Sequence, residues 1–276
     1  MRATFKDPVL QETLERQGFA VLPMLSEEEV AFLRSEYHRL GPAPGDPQKA
    51  CQSSFHSYDA DYKQAVDDVL QKALKPHLDE VFDRQRALPC NYIVKWPGGM
   101  GGFGLHQDLA LVDETEHRSV ECWIALEDTN ETNGQLWMVP QSHRWMETPN
   151  RGIQAFPFAY AEMSKRIIKN HAVPVPVTAG TAVVFNHATL HFSLPNRSDE
   201  PRMVAITDLI PEEAQHLHYF GDDDGNVGVY EIDDAFWVDN SPHTLHKPPD
   251  ASRRVGTVEY QERALTAEGL DRLVAE

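Results

Sequence analysis

Two periodicities divide the chain. Up to about residue 89, apolar positions recur every three or four residues, the spacing of one helix face. Val9, Leu10 and Leu14 predict a helix over 7–18 that stops at Gly18, followed by a short strand over 19–22. Ser26 and Glu29 form a capping box that starts a second helix. Its apolar face is Val30, Leu33, Tyr37 and Leu40, and Gly41-Pro42 ends it. After a Pro/Gly/Ser-containing loop over 41–62, a third helical run over 63–85 aligns Ala65, Val69, Leu70, Leu74, Leu78 and Phe82. Pro76 lies inside that run and is expected to kink or break it, because it removes a backbone donor.

From residue 90 the period becomes two. Segments 92–96, 118–127, 135–139, 173–177, 181–186 and 201–210 read as strands, bounded by Pro-Gly-Gly, Asn-Gly, Ala-Gly and Pro-Asn. Asn133-Gly134, flanked by apolar strand residues, predicts a hairpin. Helices first and strands afterwards imply one α+β domain, mainly β: a two-sheet core with the N-terminal helices packed outside. Its parts are a helical 1–89, a β core over 90–212 and an extension over 213–276. In the extension, Asp224-Gly225 marks a second hairpin turn and 261–275 a surface helix. The acidic run there is not a calcium loop, since Val227 stands where an EF-hand needs glycine.

Charge narrows the partners. With 43 acidic and 25 basic residues the formal net charge is -18, which argues against nucleic acid and against anionic membranes. A small-molecule substrate remains. Cys51, Cys90 and Cys122 are odd in number and far apart, so buried, reduced thiols are expected. The N-terminal segment lacks the apolar run of a secretory signal and no stretch approaches the ~20 apolar residues of a membrane span, so a cytoplasmic protein is expected.

The candidate chemistry begins at Leu105-His106-Gln107-Asp108. In an extended segment His106 and Asp108 point to the same side. One imidazole and one carboxylate are two-thirds of the facial triad that binds iron(II) in oxygenases, which needs a second His. His191 is the stronger candidate and His187 its competitor. Arg202 follows at the head of the next apolar strand. An inward Arg needs a partner, either the carboxylate of a small molecule, gripped by its planar fork, or a protein acid such as Asp208.

The segments LHQD, CWIALEDTNETNGQLWMVPQSH and GTAVVFNHATLHFSLPNRSDEPR, with the opening ERQGFAVLPMLSEEEV, resemble the phytanoyl-CoA dioxygenase family of iron(II)/2-oxoglutarate oxygenases, over about residues 10–212. The resemblance implies a double-stranded β-helix, or jelly-roll, cupin-like core. It implies that His106, Asp108 and His191 are the iron ligands, that Arg202 anchors the distal carboxylate of 2-oxoglutarate with help from Ser193, and that Trp123 lines the co-substrate pocket. Lys95 stands where the family often has a basic residue; read alone it is an ordinary rim lysine. Phe192 and Gln141 replace glycines usual in the family, and His143, His243 and His246 read as structural. The implied reaction consumes 2-oxoglutarate and oxygen, releases succinate and carbon dioxide, and hydroxylates an unactivated C–H bond; a carboxylate at Asp108 fills the position that a halogenating relative leaves to chloride. Few basic residues lie outside the strands, so a small metabolite or natural-product intermediate suits the chain better than an acyl-CoA. The loop 109–117 would roof the pocket, with Asp113 and Glu114 facing either an amine or solvent, and the loop 41–62 would be a lid. A cupin-type metalloenzyme without 2-oxoglutarate and a non-catalytic binding protein are the alternatives.

Overall fold

The alternation along the strands has a simple consequence: each strand of a packed sheet feeds two different cores. In β6 (Val120–Ala125), Cys122 and Ile124 belong to one apolar cluster while Trp123 and Ala125 belong to another. The structure, a computed structural model, describes residues 1–43, 50–98, 101–145, 159–221, 226–241, 247–259 and 265–275.

The larger sheet has the order β1-β9-β6-β11-β4-β2, from Phe19–Pro23, Thr181–Asn186, β6, Arg202–Pro211, Asn91–Lys95 and Cys51–Ser53, with β3 (Gln85–Ala87) paired to the far end of β11. The smaller sheet is β5-β10-β7-β8, from Phe103–His106, His191–Ser193, Leu136–Met138 and Val173–Val175. Every pairing is antiparallel. Trp123, Ala125, Val183, Phe185, Val204 and Ile206 from the larger sheet meet Leu136, Met138 and Val175 from the smaller one, which makes the interior of a jelly roll. Helices α1 (Pro8–Gln17), α2 (Glu27–Leu40) and α3 (Ala60–Val81) cover the outer face of the larger sheet. Helices α4 (Ser164–His171) and α6 (Ala267–Ala275) cover that of the smaller one. A third sheet, β12-β13-β14 (Leu217–Gly221, Asn226–Glu231 and Arg254–Glu259), and the short α5 (Phe236–Asp239) follow the barrel in sequence.

Local chemistry sets the helix ends as expected. Asp7 caps α1 and Gly18, at φ 87°, closes it in the left-handed region. The Ser26/Glu29 capping box is formed in both directions.

Four expectations are corrected. Val9 is exposed, so α1 buries a single stripe through Leu14. Pro76 does not break α3, which runs to Val81; Val66, Leu70, Leu74 and Leu78 pack on either side of it, and that burial outweighs one missing backbone hydrogen bond. Asn133-Gly134 is not a hairpin turn: β6 and β7 lie in different sheets, and the turn carries the chain across the barrel, with Asn130 Oδ1 accepting from the Thr132 and Asn133 N–H groups. The C-terminal helix is not merely superficial, because Leu265 and Leu270 are buried against Trp145, Ile167 and Phe192. The Asp224-Gly225 turn lies outside the described residues, although β12 and β13 do pair.

Candidate metal centre and co-substrate pocket

β5 and β10 are antiparallel neighbours, and His191 stands directly opposite His106, with ring centroids 4.2 Å apart. Asp108 follows the end of β5, its N–H donating to the His187 carbonyl at 3.0 Å. One carboxylate oxygen is 3.7 Å from His106 Nε2 and the other 3.8 Å from His191 Nε2. Each of the three side chains offers a ligating atom within 4.8 Å of the others, and no other such group occurs among the described residues.

Both imidazoles are oriented by the backbone. His106 Nδ1 donates to the Gly104 carbonyl at 2.7 Å and His191 Nδ1 to the Thr189 carbonyl at 3.0 Å, which leaves each Nε2 lone pair pointing inward. Burial, then the neighbouring His106, pulls the His191 pKa down to about 4, so it is a neutral ligand at ordinary pH. His191 is buried beneath Phe185, at 4.6 Å between centroids, while His106 and Asp108 are partly open. His187, the competing candidate, lies outside the group. Strand β9 ends at Asn186, and His187 bridges Ser119 Oγ (2.9 Å) and Asp208 Oδ1 (3.0 Å).

The co-substrate end of the barrel is cationic. Arg202 is directly opposite Lys95, on the inner face of β11 and β4. Arg202 is only 2% exposed, yet its Nε and Nη1 have no hydrogen-bond partner. Its guanidinium lies 5.4 Å from the Trp123 ring, and burial draws its pKa down to about 10. Asp208 is not its partner, since that carboxylate serves His187. A buried guanidinium with idle donors fits an absent carboxylate.

Lys95 corrects an expectation. It is completely buried rather than at the rim, because the register fixes it beside Arg202. Its ammonium donates to Ser193 Oγ at 2.7 Å and the Leu194 carbonyl at 2.6 Å. Burial, then the Arg202 charge, lowers its pKa to about 7. Gly134 makes room for this group: it sits at φ 83°, and a Cβ there would come 3.3 Å from Lys95 Nζ.

The other end is acidic. Glu121 faces Asp208 across β6 and β11 and Phe185 across β6 and β9. Burial, then the charges of Asp108 and Asp208, holds the Glu121 pKa well above the carboxylate range. Glu121 was missed by sequence reasoning, although the alternation through Trp123 points it into the barrel.

The remaining candidates fall elsewhere. Asp113 Oδ1 accepts from the Thr115 N–H and hydroxyl, and Glu114 is buried rather than solvated. The loop that carries them is tied to β12 through the Leu217 N–H to the Leu111 carbonyl and the Tyr219 hydroxyl to the Val112 carbonyl. Phe192 stacks on Trp137 on the outer face of the smaller sheet, away from the metal group. Gln141 adopts φ 67°, the conformation for which glycine is the usual choice. His143 Nε2 binds the Glu15 carbonyl at 3.0 Å, a structural contact. The segment 41–62 contains β2 and a short 3-10 turn, Ser54–His56; its central residues 44–49, like His243 and His246, lie outside the described residues. All three cysteines are buried and free, and no described helix is long and apolar enough to cross a membrane.

A jelly roll that carries a His/Asp/His group and, on its inner wall, a buried, idle arginine is the architecture of the non-haem iron(II)/2-oxoglutarate oxygenases. The family model of phytanoyl-CoA dioxygenase (PhyH) matches residues 14–204, and the chain belongs to that family. It is 34% identical over 133 residues to phytanoyl-CoA dioxygenase domain-containing protein 1 of Danio rerio, a match covering 46% of this chain and 45% of that protein. The Rattus norvegicus protein of the same description is 34% identical over 203 residues, covering 69% of this chain and 68% of the relative. Among solved structures, the non-heme alpha ketoglutarate dependent carbocyclase SnoK from nogalamycin biosynthesis superposes with a TM-score of 0.59 at 20% identity, over 76% of this chain and 86% of its own.

Proposed function

We propose that His106, Asp108 and His191 hold iron(II), that Arg202 and Lys95 receive the distal carboxylate of 2-oxoglutarate with Ser193 beside them, and that the enzyme hydroxylates an unactivated C–H bond of a small metabolite or natural-product intermediate. The observation that carries this reading is Arg202, a guanidinium withdrawn from water with two nitrogens left without partners. Bound iron(II) with 2-oxoglutarate and oxygen supplies the oxidising chemistry, with succinate and carbon dioxide as co-products. The protein's own residues do the placing. His191 presents a neutral Nε2 atom and His106 presents its Nε2 opposite it, and Asp108 contributes the charge that favours a divalent ion. Trp123 flanks Arg202 and fixes the plane of its fork. Segments 1–89, 90–212 and 213–276 act as one catalytic domain, since helices from the first and last cover the outer faces of the barrel.

The test is an anaerobic titration of the iron(II)-loaded protein with 2-oxoglutarate, recording the weak visible charge-transfer band of a chelated keto acid. The band is expected in the wild type and absent in His191→Ala. Tight iron binding without a band would eliminate 2-oxoglutarate and favour another cupin-type metalloenzyme; no metal binding would favour a non-catalytic binding protein.

A further inference from the structure

The strand register arranges the inner wall of the larger sheet in rows. Along β11 the inward residues are Arg202, Val204, Ile206 and Asp208, and their partners are Lys95, Ala125 and Ile93, Trp123 and Asn91, and Glu121. The wall therefore begins with two cations, passes through apolar rows and ends with two carboxylates. Six residues of β-strand separate Arg202 from Asp208, roughly 20 Å. The acidic row is the one beside the metal group: Phe185, which pairs with Glu121, packs on His191. A co-substrate that reaches from Arg202 to the metal leaves this row to the primary substrate.

We propose that the primary substrate is an organic cation, an amine or amidine protonated at neutral pH, held by Glu121 and Asp208 on the far side of the metal from Arg202. This rests on the iron/2-oxoglutarate reading given above.

Three observations carry it. The cavity is built for ligands, because Arg202, buried and aimed into the same barrel, has idle donors. Glu121 and Asp208 stand directly opposite each other on adjacent strands, where both can carry charge without a stability cost only if something positive lies between them. Glu121 is left without a side-chain hydrogen bond or ion pair to any described residue, whereas Asp208 is engaged on one side by His187. Asp208 is also held in place. The buried chain Ser119–His187–Asp208 fixes one of its carboxylate oxygens. A second divalent metal is a poor occupant, because no further group of three ligating side chains converges among the described residues.

Matched probes test the charge preference. Hexylammonium, 1-hexanol and hexanoate are titrated by calorimetry into the anaerobic protein loaded with iron(II) and 2-oxoglutarate. The ammonium is expected to bind about tenfold or more tightly than the alcohol, as a charge-assisted hydrogen bond allows, and the carboxylate most weakly. Glu121→Gln and Asp208→Asn, which preserve shape, should each bring the ammonium down to the level of the alcohol while keeping the charge-transfer band. Equal binding of ammonium and alcohol, no binding of the ammonium, or a preference that survives both substitutions would overturn the proposal. A wild-type protein without the band fails the cofactor reading instead, and the same three titrations on that protein still decide the charge preference.

Discussion

The larger and smaller sheets of the barrel divide the work unequally. The larger sheet supplies the charged rows, Arg202 and Lys95 at one end and Glu121 and Asp208 at the other, on strands five to ten residues long. The smaller sheet supplies both histidines of the metal group, on strands of only three and four residues. Three-residue strands contribute few ladder hydrogen bonds, so pairing alone does not hold these ligands. What holds them is the packing behind: Phe192, the residue after His191, points outward and stacks on Trp137 beneath α4 and α6. The metal ligands thus depend on an outer core built partly by the C-terminal extension, whereas the co-substrate cations depend on the long strands of the larger sheet.

Phe192→Ala tests that dependence and should have the largest effect. Removing a buried aromatic costs about 3–5 kcal/mol of stability. Denaturant unfolding should show this loss, and the iron affinity of the folded fraction should fall although Phe192 touches no ligand. An unchanged iron affinity would mean that β10 holds its own shape. Arg202→Ala, on the other sheet, should leave iron binding intact and raise the 2-oxoglutarate concentration needed for the charge-transfer band. Truncating one partner of a buried charge pair costs about 2–5 kcal/mol, or roughly 30-fold and upward in affinity.

Lys95 gives a smaller effect, read through pH. Its folded pKa of about 7 lies below the ordinary lysine value, so the unfolded chain binds the extra proton between those limits. Stability from this group therefore rises with pH above about 7, and the cost of burying the ammonium is complete below it. Binding runs the other way, because a dicarboxylate prefers the ammonium. The apparent 2-oxoglutarate Kd should climb above pH 7, by at most about tenfold per pH unit, and Lys95→Met should flatten the slope. A wild-type profile as flat as that of Lys95→Met would remove Lys95 from the co-substrate site.

The difference between the sheets also decided what could be read from sequence. The long strands of the larger sheet carry enough alternation to be seen, and the capping box and Arg202 stand out locally. β7 and β8 were legible within 135–139 and 173–177, although only three residues of each pair; β10, equally short, drew notice only because it contains His191. Asn133-Gly134 was a true turn with the wrong partner, since a turn sequence specifies φ and not which sheet the next strand joins. Lys95, singled out only through the resemblance and read alone as a rim lysine, was misplaced, and Glu121 was missed, for a related reason. A lone lysine or glutamate reads as solvated until register places it opposite Arg202 or Asp208, and those partners lie far along the chain.

The last prediction concerns the scaffold outside both sheets. Ser26 Oγ accepts from the Glu29 N–H, while the Glu29 carboxylate accepts from the Ser26 N–H and reaches His77 at 2.7 Å. The Ser26 N–H, then His77, holds the Glu29 pKa below the usual range, so this small contribution to stability is present near neutral pH and is lost as the solution is acidified through that value. Ser26→Ala removes half of the box and should cost about 1 kcal/mol, seen as a lower denaturation midpoint. Helix α2 packs on the outer face of the larger sheet, where Val30 and Leu33 meet residues that point away from the metal group. Iron and 2-oxoglutarate affinity should therefore stay at the wild-type value. If either moved with so slight a change, the larger sheet would be as dependent on its outer packing as the smaller one, and the contrast between them would fail.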